Sequence, residues 1–147
     1  MTNSKEAVAR IKINKLLEKS GWRFFDNEKG EANICLENNV KITQKNIDDF
    51  GNNFEKTKNG FVDFLLLDDK GFPFVVLEAK KEGIHPLSAK TQSRKYAKNS
   101  NARFIILSNG DSHYLWDLEK GDPEIITEFP TQESLLYRLD FKPNNKK

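Results

Sequence analysis

Two apolar runs, Phe61 to Leu67 and Phe72 to Lys80, stand four residues apart, and one acid interrupts each: Asp63 in the first and Glu78 in the second. Runs rich in Phe, Leu and Val on either side of the turn-type stretch Asp68-Asp69-Lys70-Gly71 predict the two strands of a hairpin. A carboxylate set among core residues costs several kcal/mol unless it is paired, hydrogen-bonded or neutralised by a shifted pKa. A bound cation would satisfy both acids at once. With a regular turn Leu67 faces Phe72, which sets Asp63 opposite Val76, and strand alternation then places Asp63, Glu78 and Lys80 on one face of the sheet. Diagonal neighbours of this kind lie roughly 7–8 Å apart, close enough to share an ion, and a bulge in the hairpin would spoil the parity.

The acid-x-Lys triplet alone carries little, because it also occurs as Asp68/Lys70 in the turn and as Asp140/Lys142 near the tail. Glu78 differs in closing the strand-type run Phe74-Val75-Val76-Leu77. The donors on offer are oxygens, and the chain has two histidines and one cysteine without zinc-type spacing, so the metal expected is a hard one. Magnesium fits best, with manganese as the alternative, held by Asp63, Glu78 and the backbone carbonyl of Ala79, with water completing the shell. Lys80 on the same face would orient the attacking water, help deprotonate it and offset charge on a phosphorane-like transition state. The chemistry expected is metal-assisted phosphodiester hydrolysis.

Pro86 starts a predicted helix running to about Asn99. Ala89, Gln92 and Tyr96 recur at i, i+3, i+7, so Gln92 and Tyr96 are expected to point toward the sheet and to position water or phosphate. Lys90, Arg94 and Lys98 make a basic stripe at i, i+4, i+8 that, with Lys81, suits contact with a DNA backbone. Upstream, Ser4 to Ser20 reads as a helix presenting Val8, Ile11, Leu16 and Leu17, and Trp22 to Phe25 enters the core. A short strand at Ile34 to Leu36 and a helix over Ile47 to Phe54 break a polar, asparagine-rich stretch. Downstream come a buried-type strand Arg103 to Ser108, a tight turn at Asn109-Gly110, a partner strand Ser112 to Asp117, a short strand at Ile125-Ile126, and a closing helix from Thr131 as N-cap to about Leu139. The order predicts an α/β (α+β) architecture, a mixed central sheet flanked by helices.

A chain of 147 residues suits one domain, with the core over about residues 4–139 and a tail over 141–147. A net charge of +2 is too small to predict a polyanionic partner by itself, so the placement of charge matters more than its sum. The single cysteine, Cys35, reads as a small buried residue. With neither an apolar leader nor a run of about 18 apolar residues, the expectation is a cytoplasmic protein without membrane contact. His85 and His113 read as structural or exposed, with His85 at most a substrate-side contact.

In order and spacing, Val62 to Leu67, Val75 to Lys81, Pro86-Leu87, Gln92 to Tyr96, Leu107-Ser108-Asn109-Gly110 and Tyr114-Leu115-Trp116 together resemble the nuclease domain at the N-terminus of type I restriction enzyme R (motor) subunits, within the PD-(D/E)xK superfamily. The resemblance spans about residues 4–139 and implies a restriction-endonuclease-like core. It implies catalytic roles for Asp63, Glu78, Lys80, Gln92 and Tyr96, and a glutamate of the first helix near the metal, matched best by Glu6 and less well by Glu18. It also implies double-stranded DNA as substrate and, if the chain is an excised domain rather than a stand-alone relative, a translocase region with modification and specificity subunits as partners. No G-x-x-x-x-G-K-[ST] loop occurs, so no ATP site is expected in this chain. Two functions are consistent with these residues: an endonuclease, or a nuclease fold kept as a DNA-binding or docking module that is inactive without partner subunits.

Overall fold

The computed structural model of the chain describes residues 5–36, 40–41, 64–80 and 83–140, with side chains over 8–35, 64–80 and 83–139. The elements are α1 (Lys5–Lys19), β1 (Ile34–Leu36), β2 (Val40–Lys41), β3 (Phe64–Leu67), β4 (Pro73–Ala79), a 3-10 turn (Pro86–Ala89), α2 (Lys90–Ser100), β5 (Phe104–Ser108), β6 (His113–Asp117), β7 (Glu124–Ile126) and α3 (Gln132–Asp140). The strands form one sheet in the order β2-β1-β3-β4-β5-β6-β7. Only β4 and β5 run parallel among the described pairs, and a parallel pair needs a crossover, which the 3-10 turn and α2 supply. Ala89 and Ala97 pack with Val76, Ile105, Leu107 and Trp116 on one face. On the other, α1 and α3 cover Leu77, Phe104, Ile106 and Leu115 with Ile13, Leu17 and Leu135. The result is the expected mixed sheet between helices.

The hairpin departs from the regular turn in two places. Leu67 pairs with Pro73 rather than Phe72, so five residues, Asp68 to Phe72, intervene. Asp68 explains the longer loop: its Oδ1 accepts from the N–H groups of Lys70 at 2.8 Å and Phe72 at 3.0 Å, and Gly71 takes φ +89° to close it. Phe72 is left 64% exposed, outside the strand. An odd loop alone would turn every later side chain of β4 to the opposite face. A bulge reverses that: Leu66 pairs with Val75, Phe74 is the extra residue, and Phe74 and Val75 both enter the α1/α3 core. From Val75 onward the expected parity is restored, with Leu65 opposite Val76 and Phe64 opposite Leu77. The expected pairing of Val76 with Asp63 is therefore corrected to Leu65. Asp63 lies outside the described residues, as do Phe61, Val62 and the helix expected over Ile47 to Phe54.

The first helix matches its expected limits but buries a different line. Ala9, Ile13 and Leu17, at i, i+4, i+8, are within 1% of fully buried, whereas Ile11 is 44% exposed. Two hydrogen bonds tie the end of α1 to the segment before α3, from Ser20 Oγ to the Phe129 carbonyl at 2.7 Å and from Trp22 Nε1 to the Pro130 carbonyl at 2.9 Å. The expected N-cap of α3 forms: Thr131 Oγ1 accepts from the Ser134 N–H at 3.0 Å, and Ser134 Oγ accepts from the Thr131 N–H at 3.1 Å. Burial holds the Cys35 thiol's pKa up at about 11, so it stays protonated and inert at neutral pH.

Candidate active site

Glu78 stands one residue before the end of β4, 6% exposed, and alternation from Val76 puts it on the α2 face of the sheet. Lys80 follows on the same face by the same alternation, half-buried, and its N–H extends the β4–β5 ladder by donating to the Ser108 carbonyl at 2.8 Å. Glu78 pairs with Leu107, Leu107 with Tyr114, and Tyr114 with Ile125, so one row of side chains runs from the acid across three more strands.

The crossover helix lies over this face on small residues: Ala89, Ser93 and Ala97 at i, i+4, i+8 are 0–3% exposed. The residues on either side of that line, about 100° away around the helix, form two flanks. Lys90 belongs to one, and its ammonium lies 5.2 Å from the centre of the Trp116 ring on β6. That flank continues with the exposed Arg94 and Lys98. Gln92 and Tyr96 form the opposite flank, toward β3 and β4, with Gln92 exposed in the first turn and Tyr96 half-buried against the cluster containing Leu65 and Val76.

The loop between β5 and β6 braces the same end of the sheet. Asn109 Oδ1 accepts from the Asp111 and Ser112 N–H groups at 2.9 and 2.8 Å, while its Nδ2 donates to the Ile84 carbonyl at 2.9 Å, fixing the loop that leaves β4. Ser108 Oγ is shared between the Gly110 N–H at 2.9 Å and His113 Nδ1 at 2.8 Å. Burial lowers the His113 pKa, partly opposed by the Asp111 charge and a bond to the Ser112 backbone, so the ring is neutral near pH 7. Lys12 of α1 meets Asp111 at 2.7 Å. Gly110 has φ +93°, and a Cβ there would stand 3.1 Å from Ala9 Cα, backbone that cannot step aside. Gly110→Ala is expected to cost about 1–3 kcal/mol, since it combines a left-handed alanine with that clash; an unchanged urea midpoint would show that α1 is not seated on this turn.

Among the described residues no group of three or more His, Cys, Asp or Glu side chains could hold a metal; Asp63 and the Glu6 side chain lie outside that description. No helix among them is long and apolar enough to cross a membrane. The family model for the type I restriction enzyme R protein N terminus matches residues 31–130. This chain belongs to that family. In structure the R-protein domain is similar to a protein described as an HsdR subunit of a type I restriction enzyme from Vibrio vulnificus YJ016, solved as a fragment, with TM-score 0.64 and 21% identity over 100% of this chain and 27% of that one. That likeness shows the fold, and this chain spans about a quarter of the solved protein's length. A comparison with curated proteins finds no match.

In this R-protein domain the structure brings Glu78 and Lys80 to one face, as expected, and sets Gln92 and Tyr96 on the flank of α2 toward their strand. It corrects the orientation of Gln92, which is exposed rather than turned to the sheet; along the basic stripe Arg94 and Lys98 are exposed and Lys90 lies over Trp116. The expected helix from Pro86 begins as a 3-10 turn. Lys81 lies outside the described residues. Sequence reasoning missed Arg10, a guanidinium only 3% exposed on the same helix turn as Ala9. Asn109, which anchors the loop after Lys80, was read only as a turn residue.

Proposed function

We propose that this R-protein domain is a Mg²⁺-dependent endodeoxyribonuclease that hydrolyses phosphodiester bonds of double-stranded DNA. The observation that carries the reading is the placement of Glu78: an acid 6% exposed at the end of a core strand, with Lys80 on its own face, in a hairpin where its neighbour Leu77 pairs with Phe64, the residue next to Asp63 in the chain. Asp63, Glu78 and the Ala79 carbonyl would hold the ion, with Glu6 as a further ligand from α1. The donor set is all oxygen and suits magnesium, with manganese as a substitute; among the described residues His113 is engaged by Ser108, and Cys35 holds its proton. Bound there, a divalent ion supplies charge to the phosphate oxygens and acidity to the attacking water.

The chain's own residues do the rest. Lys80 orients the water, helps to accept its proton and offsets the negative charge that develops on the phosphate, Gln92 and Tyr96 orient water and phosphate from the α2 flank, and Lys81, Arg94 and Lys98 hold the strand backbone, with Lys90 contributing its charge from over Trp116. The family sets the domain in a restriction complex; we assign DNA delivery to a translocase region and to modification and specificity subunits, in the cytoplasm. Calorimetric titration with MgCl₂ tests the reading: wild type takes up the ion, whereas Asp63→Ala and Glu78→Ala do not. Equal heats from all three proteins would leave only the docking-module alternative.

A further inference from the structure

The row that starts at Glu78 does not end in an ordinary surface. Its third member, Tyr114, is half-buried and carries the His85 ring against it, centroids 5.7 Å apart and planes tilted by 34°. Its fourth, Ile125, is 71% exposed, and Ile84, next to His85, is 38% exposed. With strands about 4.8 Å apart, Tyr114 lies two strands or roughly 10 Å from Glu78 along the sheet, within reach of the nucleotides flanking a phosphate held at the acid.

The exposed ring is held in place. His85 Nδ1 accepts from the Leu87 N–H at 3.1 Å, so in the neutral ring the proton sits on Nε2, on the edge away from that bond. Asn109 holds the preceding residue through the Ile84 carbonyl at 2.9 Å. Two lysines belong to the same face of the sheet: Lys80, which follows β4, and Lys90, whose Trp116 is two residues from Tyr114 on β6. A fixed aromatic pair with aliphatic neighbours, an outward N–H donor and lysines on the same face is the composition of a site that stacks a nucleobase beside a bound strand. Bases within an intact duplex are covered on both faces, so filling such a site costs unstacking and unpairing energy, and the cost is least where a base is already out of the stack.

We propose that the His85–Tyr114 ring pair binds one unstacked nucleobase of the strand being cut, so that this site favours double-stranded DNA carrying a locally unpaired segment over an intact duplex. This rests on the nuclease reading above. The test measures binding of the full chain, by fluorescence anisotropy with Ca²⁺ in place of Mg²⁺, to an intact duplex and to the same duplex carrying a three-nucleotide gap in one strand. Wild type should prefer the gapped DNA. His85→Asn keeps an acceptor for the Leu87 N–H and removes only the ring, so it should melt like wild type yet lose the preference by about five- to fiftyfold. Tyr114→Leu should lose it as well, and Tyr114→Phe should keep it. A wild type that binds both DNAs equally, or a His85→Asn protein that retains the preference, overturns the stacking site and leaves the nuclease reading standing. A wild type that binds neither DNA overturns both.

Discussion

Alanine at Glu78 is expected to abolish Mg²⁺-dependent cleavage of plasmid DNA, and alanine at Lys80 to slow it by about 10²- to 10⁴-fold. The two losses have different origins. Glu78 is the described carboxylate on the α2 face at the end of β4, and without it the proposed ion keeps too few oxygen ligands. Glu78→Gln preserves shape and removes only charge, so it should be as inactive as alanine while melting normally. Lys80 is expected to act on the water, and arginine separates its two jobs: a guanidinium supplies charge but does not give up a proton near neutral pH. Activity restored by Lys80→Arg would reduce the lysine to an electrostatic role, whereas continued loss with an altered pH profile supports proton transfer. Undiminished cleavage by Glu78→Gln would remove this carboxylate from the chemistry.

Asp117→Ala should cost about 3–5 kcal/mol of stability, because it strands a buried guanidinium. Asp117 closes β6, and Arg103 grips it from the entrance to β5 with two bonds, Nε to Oδ1 at 2.9 Å and Nη2 to Oδ2 at 3.0 Å. The two side chains are 9% and 4% exposed. Arg103 also donates to the Arg138 carbonyl of α3 at 3.1 Å, and the Glu119 N–H reaches Asp117 Oδ1 at 3.1 Å, so the pair joins the sheet to the last helix. Burial alone would raise the Asp117 pKa, but the bond from Arg103, the Glu119 N–H and the charges of Arg103 and Arg138 together hold it below the usual carboxylate range. The unfolded chain therefore binds this proton first: the stabilisation is whole above about pH 4, the unfolded value, and is lost as pH falls through the lower folded one. The buried His113 adds a separate loss, starting near pH 6.5 and continuing down to its own lowered value. Urea midpoints from pH 7 to pH 2 should fall in two steps, and Asp117→Asn should remove the lower one. A single step unchanged by Asp117→Asn would show that the Arg103 pair does not govern acid unfolding.

The strands were legible because their composition is one-sided and their turns carry Asp, Asn and Gly at the joints. The bulge at Phe74 was not: Pro73-Phe74-Val75-Val76 is apolar throughout, and a continuous apolar run has no alternation to betray an inserted residue. The face shared by Glu78 and Lys80 with Leu65 was nonetheless anticipated, since the longer loop and the bulge cancel. Gln92 was misoriented for a related reason. A helix stripe is wide enough for either Ala89/Gln92/Tyr96 or Ala89/Ser93/Ala97 to be read as the inner line, and the structure takes the smaller residues, which let α2 come close to the sheet. The same preference selects Ala9 over Ile11 in α1. The Arg103–Asp117 pair lay beyond sequence reasoning because it depends on the β5–β6 register, in which Phe104 meets Asp117.

The cancelling slips in the first hairpin limit how this stretch of chain can change length. Removing Phe74 alone, or trimming one residue between Asp68 and Phe72, would swap inside for outside along the remainder of β4, sending Glu78 into the α1/α3 core and Leu77 out toward α2. Removing one of each leaves the acid where it stands. Viable relatives of this hairpin should therefore differ from it in even increments, or by an odd one matched with the gain or loss of the kink.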